Sequence, residues 1–315
     1  MSIGANALIA VTEANLLWLS KHRDYLETAC RLLVPSYPCL SRLTSKMNQI
    51  EIAKEAGFDI LPTSYLTKAS DCATVPANWF PICLRPSEPA QVSPQFKAQL
   101  IYSRNELADF LDRMQEIRQP ILSQPFLHLP DLKVHGIRSV DGRILAMQPF
   151  FVERKFEGVT LTLMRSAFPP GIRECCERFA EIADLTGGFH FDLLYSPKED
   201  RVYYLEINAR MGGITDKAKA FGYDQPRLIL EAYGHPRTET PSDRGTSRKR
   251  VVTKRAVVKH ILKALSGQLT ELDYPPVGRT KHVLLSTRDL ILARDSVFDR
   301  KDLLGSLWFN LQKPA

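Results

Sequence analysis

The sequence predicts an α/β protein built as α+β lobes, and three observations carry that reading. Segments with apolar residues at helical spacing alternate with short, strand-like apolar runs. The stretch "PILSQPFLHLPDLKVHGIRSVDGRILAMQPFFVERK" reads as successive antiparallel strands around an Asp141-Gly142 turn, a strong hairpin signal. A second hairpin, "FHFDLLYSPKEDRVYYLEIN", turns through Pro197, Lys198, Glu199 and Asp200. It runs into "ARMGG", so that Glu206, Asn208 and Arg210 stand at alternate positions and share one strand face. In that alternation Val202 and Tyr204 precede them, while Tyr203, Leu205 and Ile207 pack on the other side.

In chain order, "TEANLLWLSKHRDYLETACRLL" repeats apolar residues through Leu16, Leu19, Leu26 and Leu33, which predicts one helix capped by Thr12. A second helix is expected over "RLTSKMNQIEIAKEAGF", opened by Thr44 or Ser45 and ended by Gly57. "DILPTSYL" leads into a strand, and "NWFPICLRPSEP" and "FKAQLIYS" are further strands. The helix "RNELADFLDRMQEI" takes Ser103 or Asn105 as cap. After the first hairpin, "GIRECCERFAEIADLTGG" predicts an amphipathic helix closed by its two glycines. "YDQPRLILEAYG" predicts another helix, and the polar run "HPRTETPSDRGTSRKR" a linker over 235–250. "VVTKRAVVKHIL", "HVLLSTRD" and "DSVFD" look strand-like and predict a small, β-rich C-terminal unit over 251–315.

Composition bounds the function. The chain has 315 residues, and its 42 Lys+Arg against 35 Asp+Glu give a net charge of +7. A pI near 9.1 admits nucleic acid, an anionic surface or phosphate-bearing ligands. The basic residues are scattered except for "RKRVVTKR", which reads as a solvated linker face. No aromatic residues interleave with it, so nucleic-acid binding is not expected. No apolar run is long enough to span a bilayer, the N-terminus lacks a secretory pattern, and cytoplasm is the default location. Six cysteines without a CxxC pair are expected to be reduced thiols. Cys175 and Cys176 read as core and boundary residues, and His190 as a packed histidine near the site.

Asp192 lies on the strand before Glu206. Two carboxylates and an amide carbonyl, from Asp192, Glu206 and Asn208, suit a hard divalent cation that shares phosphate oxygens, so magnesium with a nucleotide fits. Arg210 then stands beside charge developing on a transferring phosphoryl group. An acidic hairpin with an Arg-Glu pair is also a common structural feature.

The paired strands "FHFDLLYSPKEDRVYYLEINARMGG" resemble those of the ATP-grasp superfamily. The carboxylate-amine ligases in particular, and carbamoyl-phosphate-synthase-like ATP-grasp domains, carry an acid on the first strand and "E-hydrophobic-N-x-R" on the second. Upstream, "LTSKMNQIEIAKEAGFDILPTSYL", "WFPICLRPSEP", "PILSQPFL" and "FFVERKFEGVTLTLMRS" resemble successive parts of the nucleotide site. The resemblance implies an ATP-grasp domain over 43–234, with a small lid lobe at about 75–127, after a truncated N-terminal α/β subdomain over 1–42.

What the resemblance implies for residues is specific. Asp192, Glu206 and Asn208 hold magnesium, with manganese able to serve, and Glu206 can bridge two ions. Lys46 and Arg85 touch ATP phosphates; Gln124 and the backbone of Phe126 and Leu127 form the adenine hinge, and Asp131 binds ribose. Arg154 or Lys155, with Arg210, faces the γ-phosphate and the carboxylate being activated. The implied activity is ATP-dependent joining of a carboxylate to an amine through an acyl phosphate, releasing ADP and phosphate, with an amino acid or short peptide as substrate. The alternatives are another acyl-phosphate-forming enzyme or a nucleotide-binding pseudoenzyme subunit. Oligomeric state is left open. The chain departs from the pattern in having Arg85 where lysine is usual, Ala209 in place of proline, and no glycine in the flap segment "SEPAQVSPQ".

Overall fold

The structure, a computed structural model, describes residues 6–235, 245, 247–299 and 301–311. Most of the expected linker, 236–244 and 246, lies outside the described residues. The chain begins with β1 (Ala7–Leu8), α1 (Glu13–Lys21), α2 (Arg23–Leu26) and β2 (Arg31–Leu32), and the two strands pair in parallel. Thr12 caps α1 as predicted, accepting from the Asn15 N–H. The single helix expected over this stretch breaks at His22. Leu16 and Leu19 bury their side chains against Leu32, Val34 and Leu40, which requires the chain to double back and make Leu32 a strand residue.

Next, α3 (Tyr37–Thr44) is capped by Ser36, and Ser45 caps α4 (Lys46–Ala56). Gly57 closes α4 in the left-handed conformation, φ 95°. After β3 (Asp59–Ile60), a small lobe is formed by β4 (Ser64–Leu66), β5 (Ile82–Pro86), β6 (Val92–Ser93), β7 (Gln99–Ile101), α5 (Arg104–Asp112), β8 (Glu116–Ile117) and β9 (Ile121–Pro125). Its sheet has the order β4-β9-β5-β7, so the lobe begins earlier than the expected 75. Ile82 and Leu84 alternate inward to meet Leu107 of α5, which turns Cys83 and Arg85 to the opposite face. The glycine-free segment is packed into this lobe: β6 pairs with β8, and Val92 is part of the lobe's core.

The remaining strands are β10 (Asp131–Arg138), β11 (Ile144–Phe156), β12 (Val159–Arg165), β13 (Gly187–Ser196), β14 (Arg201–Asn208), β15 (Arg250–Val252) and β16 (Arg294–Asp295). With β3 they form one eight-stranded sheet in the order β16-β15-β12-β11-β10-β13-β14-β3. Between them run α6 (Ile172–Ile182), α7 (Thr215–Ala220), α8 (Gln225–Ala232), α9 (Lys254–Leu265) and α10 (Arg279–Leu292), with α11 (Leu303–Leu311) last. One face of the sheet packs Val134, Phe189, Phe191 and Tyr204 against α4 and α6 through Phe179. Each such phenylalanine contributes about 1.5–3 kcal/mol by burial. The other face packs Ile137, Phe150, Val152 and Leu163 against Ile214, Ala218 and Ile229. Leu132 and Val134 face the first side, so Asp131, Lys133 and His135 face the second.

Four expectations are corrected. The C-terminal unit is helical, not β-rich, and its two short strands complete the large sheet. In α9 the buried positions Val257, His260 and Ala264 follow the helical period, which overrides the β-branched "VV". In α10 the buried stripe is His282, Ser286 and Asp289, so the apolar "VLL" that suggested a strand is not the inward face. The glycines after α6 do not close it: Gly187 and Gly188 open β13, where an added Cβ would lie 2.9 Å from Tyr233 and 2.6 Å from Ile229. The basic run is not wholly solvated, since Arg250 is clamped by both oxygens of Glu153 at 2.6 and 2.7 Å while Val251 and Val252 are fully buried.

The fourth correction concerns β14. Asp192 is paired with Glu206 but Leu193 with Tyr204, so Leu205 is an extra residue, a β-bulge. The bulge resets the alternation. Val202, Tyr204 and Ile207 all join the core, and Glu206 and Asn208 turn to the opposite face.

Candidate functional site

The candidate site lies where the small lobe, through Arg85, faces Glu206 on the second face of the large sheet. Two cross-strand rows build its floor: Lys133, Asp192 and Glu206 in one, His135, His190 and Asn208 in the next. Lys133 Nζ is 2.6 Å from Asp192 Oδ1. Burial alone would raise the Asp192 carboxyl, but the Lys133 ammonium, with His190 beside it, prevails and holds it down to about 2. Burial also opposes charge on Lys133, yet Asp192 and Asp131 together hold its pKa above the ordinary lysine value.

Glu206 receives cations from two other elements. Lys46, the first residue of α4, places Nζ 3.6 Å from Glu206 Oε2, and Arg85 of β5 places Nη1 3.9 Å from the same oxygen. Arg85 also donates to Gln124 Oε1 at 2.6 Å and to the Leu205 carbonyl at 3.4 Å. Only a planar fork reaches all three partners, which accounts for arginine in place of lysine. Ser45 and Ser87 hydroxyls lie 3.1 Å apart, and the Lys46 N–H donates to the Ser87 carbonyl at 3.0 Å. These bonds fix the start of α4 against the small lobe.

Asn208 donates from Nδ2 to Glu206 Oε1 at 3.4 Å and accepts at Oδ1 from Arg210 Nη2 at 3.3 Å. Arg210 follows the end of β14, and its Nε lies 3.8 Å from Glu13 Oε1 at the start of α1. His190 donates from Nδ1 to the Arg210 carbonyl at 3.1 Å and stacks on His135 at 5.2 Å. Burial lowers the pKa of both imidazoles. An added Cβ at Gly212 would lie 3.0 Å from the His190 ring, so this glycine admits the histidine. Between Lys133, Thr160, His190, Asp192, Glu206 and Arg210 is a cleft of about 240 Å³.

The other predicted residues are placed unevenly. Lys155 pairs with Asp131 at 2.9 Å and with the Leu129 carbonyl at 3.3 Å, toward the hinge rather than beside Arg210. Gln124 is committed on both sides, its Nε2 donating to Thr63 at 2.8 Å. The Phe126 N–H donates to the Pro81 carbonyl at 2.9 Å, so that donor is not free for a base, and the Leu127 backbone is the remaining hinge candidate. Arg154 is a correction. It is 1% exposed and binds Asp289 at 3.0 Å and Ser286 at 2.6 Å under α9 and α10, away from the site. Val152 pairs with Leu163 but Arg154 with Thr162, so Glu153 is an extra residue that turns Arg154 to the back of the sheet.

Three site residues were missed by the sequence reading. Lys133 carried the same signal as Glu206, a charged residue alternating with apolar ones in "DLKVHGI". Glu13 had no local signal, because α1 reaches Arg210 only through the fold. Gln49 stands on the buried stripe of α4 with Ile52, Ala53 and Ala56. Its Oε1 accepts from the Ile207 N–H at 3.2 Å and the Tyr204 hydroxyl at 3.0 Å, and its Nε2 donates to the Leu43 carbonyl at 2.6 Å. β3 pairs with β14 only at Tyr203 and Tyr204, so Gln49 completes the strand edge beneath Glu206. Gln49→Met is expected to cost about 1–3 kcal/mol in urea denaturation, the penalty of a buried unpaired amide. It should also weaken metal-nucleotide binding by calorimetry.

Among the described residues no three His, Cys, Asp or Glu side chains cluster as a metal site, so any divalent ion held by Asp192 and Glu206 would take its other ligands from an amide, water or phosphate oxygens. Asp192 and Glu206, directly opposed across β13 and β14, with Asn208 adjoining, form a hard oxygen set that fits one such ion. No helix is long and apolar enough to cross a membrane among the described residues.

No protein-family model matches the chain, and no curated protein matches it. Solved structures do. The biotin carboxylase domain of Hydrogenobacter thermophilus 2-oxoglutarate carboxylase, with MgADP and bicarbonate, aligns at TM-score 0.59 and 14% identity, over 76% of this chain and 56% of that one. Thermus thermophilus N5-carboxyaminoimidazole ribonucleotide synthetase aligns at 0.57 and 14% identity, over 75% and 64%. Bacillus licheniformis L-amino acid ligase aligns at 0.53 and 14% identity, over 70% and 54%. The chain therefore spans less than two thirds of the length of each of these. Its fold is the ATP-grasp fold, as the order of motifs implied.

Proposed function

We propose that this ATP-grasp chain is an ATP-dependent ligase that activates a carboxylate as an acyl phosphate and passes it to an amine. The observation that carries the reading is the convergence of Asp192, Glu206 and Asn208 beneath two cations from separate elements, Lys46 and Arg85. Carboxylates faced at 3.6 and 3.9 Å by cations from two other elements suit a nucleotide polyphosphate with its metal better than they suit a tight structural ion pair. The MgADP and bicarbonate of the biotin carboxylase domain and the name of the amino acid ligase support the same class of chemistry.

In this reading Lys46 and Arg85 leave Glu206 to bind phosphate oxygens, and Gln124 keeps the Arg85 fork aligned. Asp192, Glu206 and Asn208 hold magnesium, which when bound neutralises charge on the phosphates. Arg210 pairs with the substrate carboxylate and orients it toward the γ-phosphorus, while the lid keeps water from the reacting atoms. The carboxylate oxygen attacks, the bond from γ-phosphorus to the bridging oxygen breaks, and ADP leaves. The amine then attacks the acyl carbon and phosphate departs, taking up the amine proton. Lys155 and Asp131, paired at 2.9 Å, would meet the ribose end of the nucleotide. The substrate carboxylate is a small one such as that of an amino acid or short peptide, recognised by Arg210 and not by the buried Arg154.

One observation favours a second reading, a nucleotide-binding subunit without turnover: Lys133 already neutralises Asp192. The two separate on incubation with ATP, magnesium and pooled amino acids. ADP and phosphate formed together with an amide product detected by mass are expected. AMP and pyrophosphate would sink the acyl-phosphate route, and nucleotide binding without product would favour the subunit.

A further inference from the structure

We infer that Lys133 is a resident cation of the site, standing in for one metal ion, so that the site takes a single divalent ion with its nucleotide. The inference rests on the nucleotide reading above and concerns what that reading leaves open, since the sequence resemblance allows Glu206 to bridge two ions. Lys133, Asp192 and Glu206 lie in one cross-strand row, so Asp192 has a lysine on one flank and a glutamate on the other. The flank toward Glu206 is shared by two carboxylates and adjoins Asn208, and it can hold a divalent ion. The flank toward β10 is filled by the Lys133 ammonium, 2.6 Å from Asp192 Oδ1.

That ammonium is not a surface charge that solvent could draw away. The side chains of Lys133 and Asp192 are 15% and 20% exposed, and β10 is flanked on both sides by β11 and β13. The next acid on the same face of β10, Asp131, is engaged by Lys155 at 2.9 Å, and Glu206 faces Lys46 and Arg85. Each carboxylate of the floor thus has its own cation. A first divalent ion can enter between Asp192 and Glu206 if Lys46 and Arg85 turn to the phosphates. A second would have to share Asp192 with a fixed positive charge at contact distance, where like-charge repulsion in a half-buried site is strong. A lysine in that place has a chemical consequence: it supplies charge without exchanging, so it cannot be removed by chelators.

The test is a Mn2+ titration of the full chain with saturating ADP, read by electron paramagnetic resonance, with ADP binding followed separately by calorimetry. One Mn2+ per chain is expected for the wild type and for Lys133→Arg, and a second, or at least tenfold tighter Mn2+ binding, for Lys133→Met. Two Mn2+ ions in the wild type would overturn the inference without recourse to any variant. So would a Lys133→Met protein with a native melting profile and unchanged stoichiometry and affinity. If calorimetry detects no ADP binding to the wild type, the nucleotide reading itself fails and the inference falls with it.

Discussion

Glu206→Gln is expected to lower the proposed ATP-dependent turnover by at least about 10²-fold while leaving the fold intact. The side chain is 30% exposed and its two cation contacts are 3.6 and 3.9 Å long, so it contributes at most about 1 kcal/mol to stability. Its role in the proposed reaction is different in kind. It is the one carboxylate of the site that faces Lys46, Arg85 and Asn208 together, and the amide keeps the shape while removing the charge. Losing one preorganised charge of this sort lowers kcat by about 10²–10³, and loss of the metal ligand adds to that. ADP release should fall at least that far, Mn2+ affinity should fall with it, and the melting temperature should stay within a few degrees of wild type. Undiminished ADP release would mean that the metal and phosphate end of the site lies elsewhere.

Arg154→Ala is expected to show the reverse pattern, a large loss of stability from a residue that the family resemblance implied for the active site. Its guanidinium is buried against Asp289, which is 0% exposed, and Asp289 also accepts from Thr162 at 2.6 Å. Removing the arginine strips the cation from Asp289 Oδ2 and leaves the buried carboxylate only the partly exposed Arg288, 2.7 Å from Oδ1, so the loss is expected at the lower end of the about 3–5 kcal/mol that breaking a buried pair costs. His260, held down to about 4 by burial and then by Arg154 itself, is neutral beside the pair at pH 7 in the wild type. The denaturation midpoint should fall steeply. The double variant Arg154→Met with Asp289→Leu, which removes both charges, should recover most of the loss. Protein that remains folded should still bind ADP. A stable Arg154→Ala protein that had lost only turnover would return this residue to the chemistry.

Much of this was legible before the structure. Hairpin turns at Asp141-Gly142 and Pro197–Asp200, the caps Thr12, Ser45 and Ser103, and the closing Gly57 are local signals, and each stands where the sequence put it. That Asp192, Glu206 and Asn208 share one face of the sheet was legible too, since Asp192 pairs with Glu206 and His190 with Asn208 across the hairpin. The C-terminal helices were not, because in α10 the inward stripe is polar and satisfied by Arg154 and its neighbours. A hydrophobic pattern cannot reveal a buried face that is held together by charge.

The sequence by itself determined which side chains alternate, where helices and hairpins begin, and that acids, an amide and cations recur at strand ends. Only the tertiary structure decided which face each one meets. Two extra residues make that decision: Leu205 turns Val202 and Tyr204 away from Glu206, and Glu153 turns Arg154 to the face of the sheet opposite the cleft. A bulge leaves no mark in the alternation of a single strand, because it is a mismatch in register between two strands and is fixed by what each must pack against. The pairing of Lys133 with Asp192, 59 residues apart, belongs to the same category. The sequence supplied the charges, and the sheet made them neighbours.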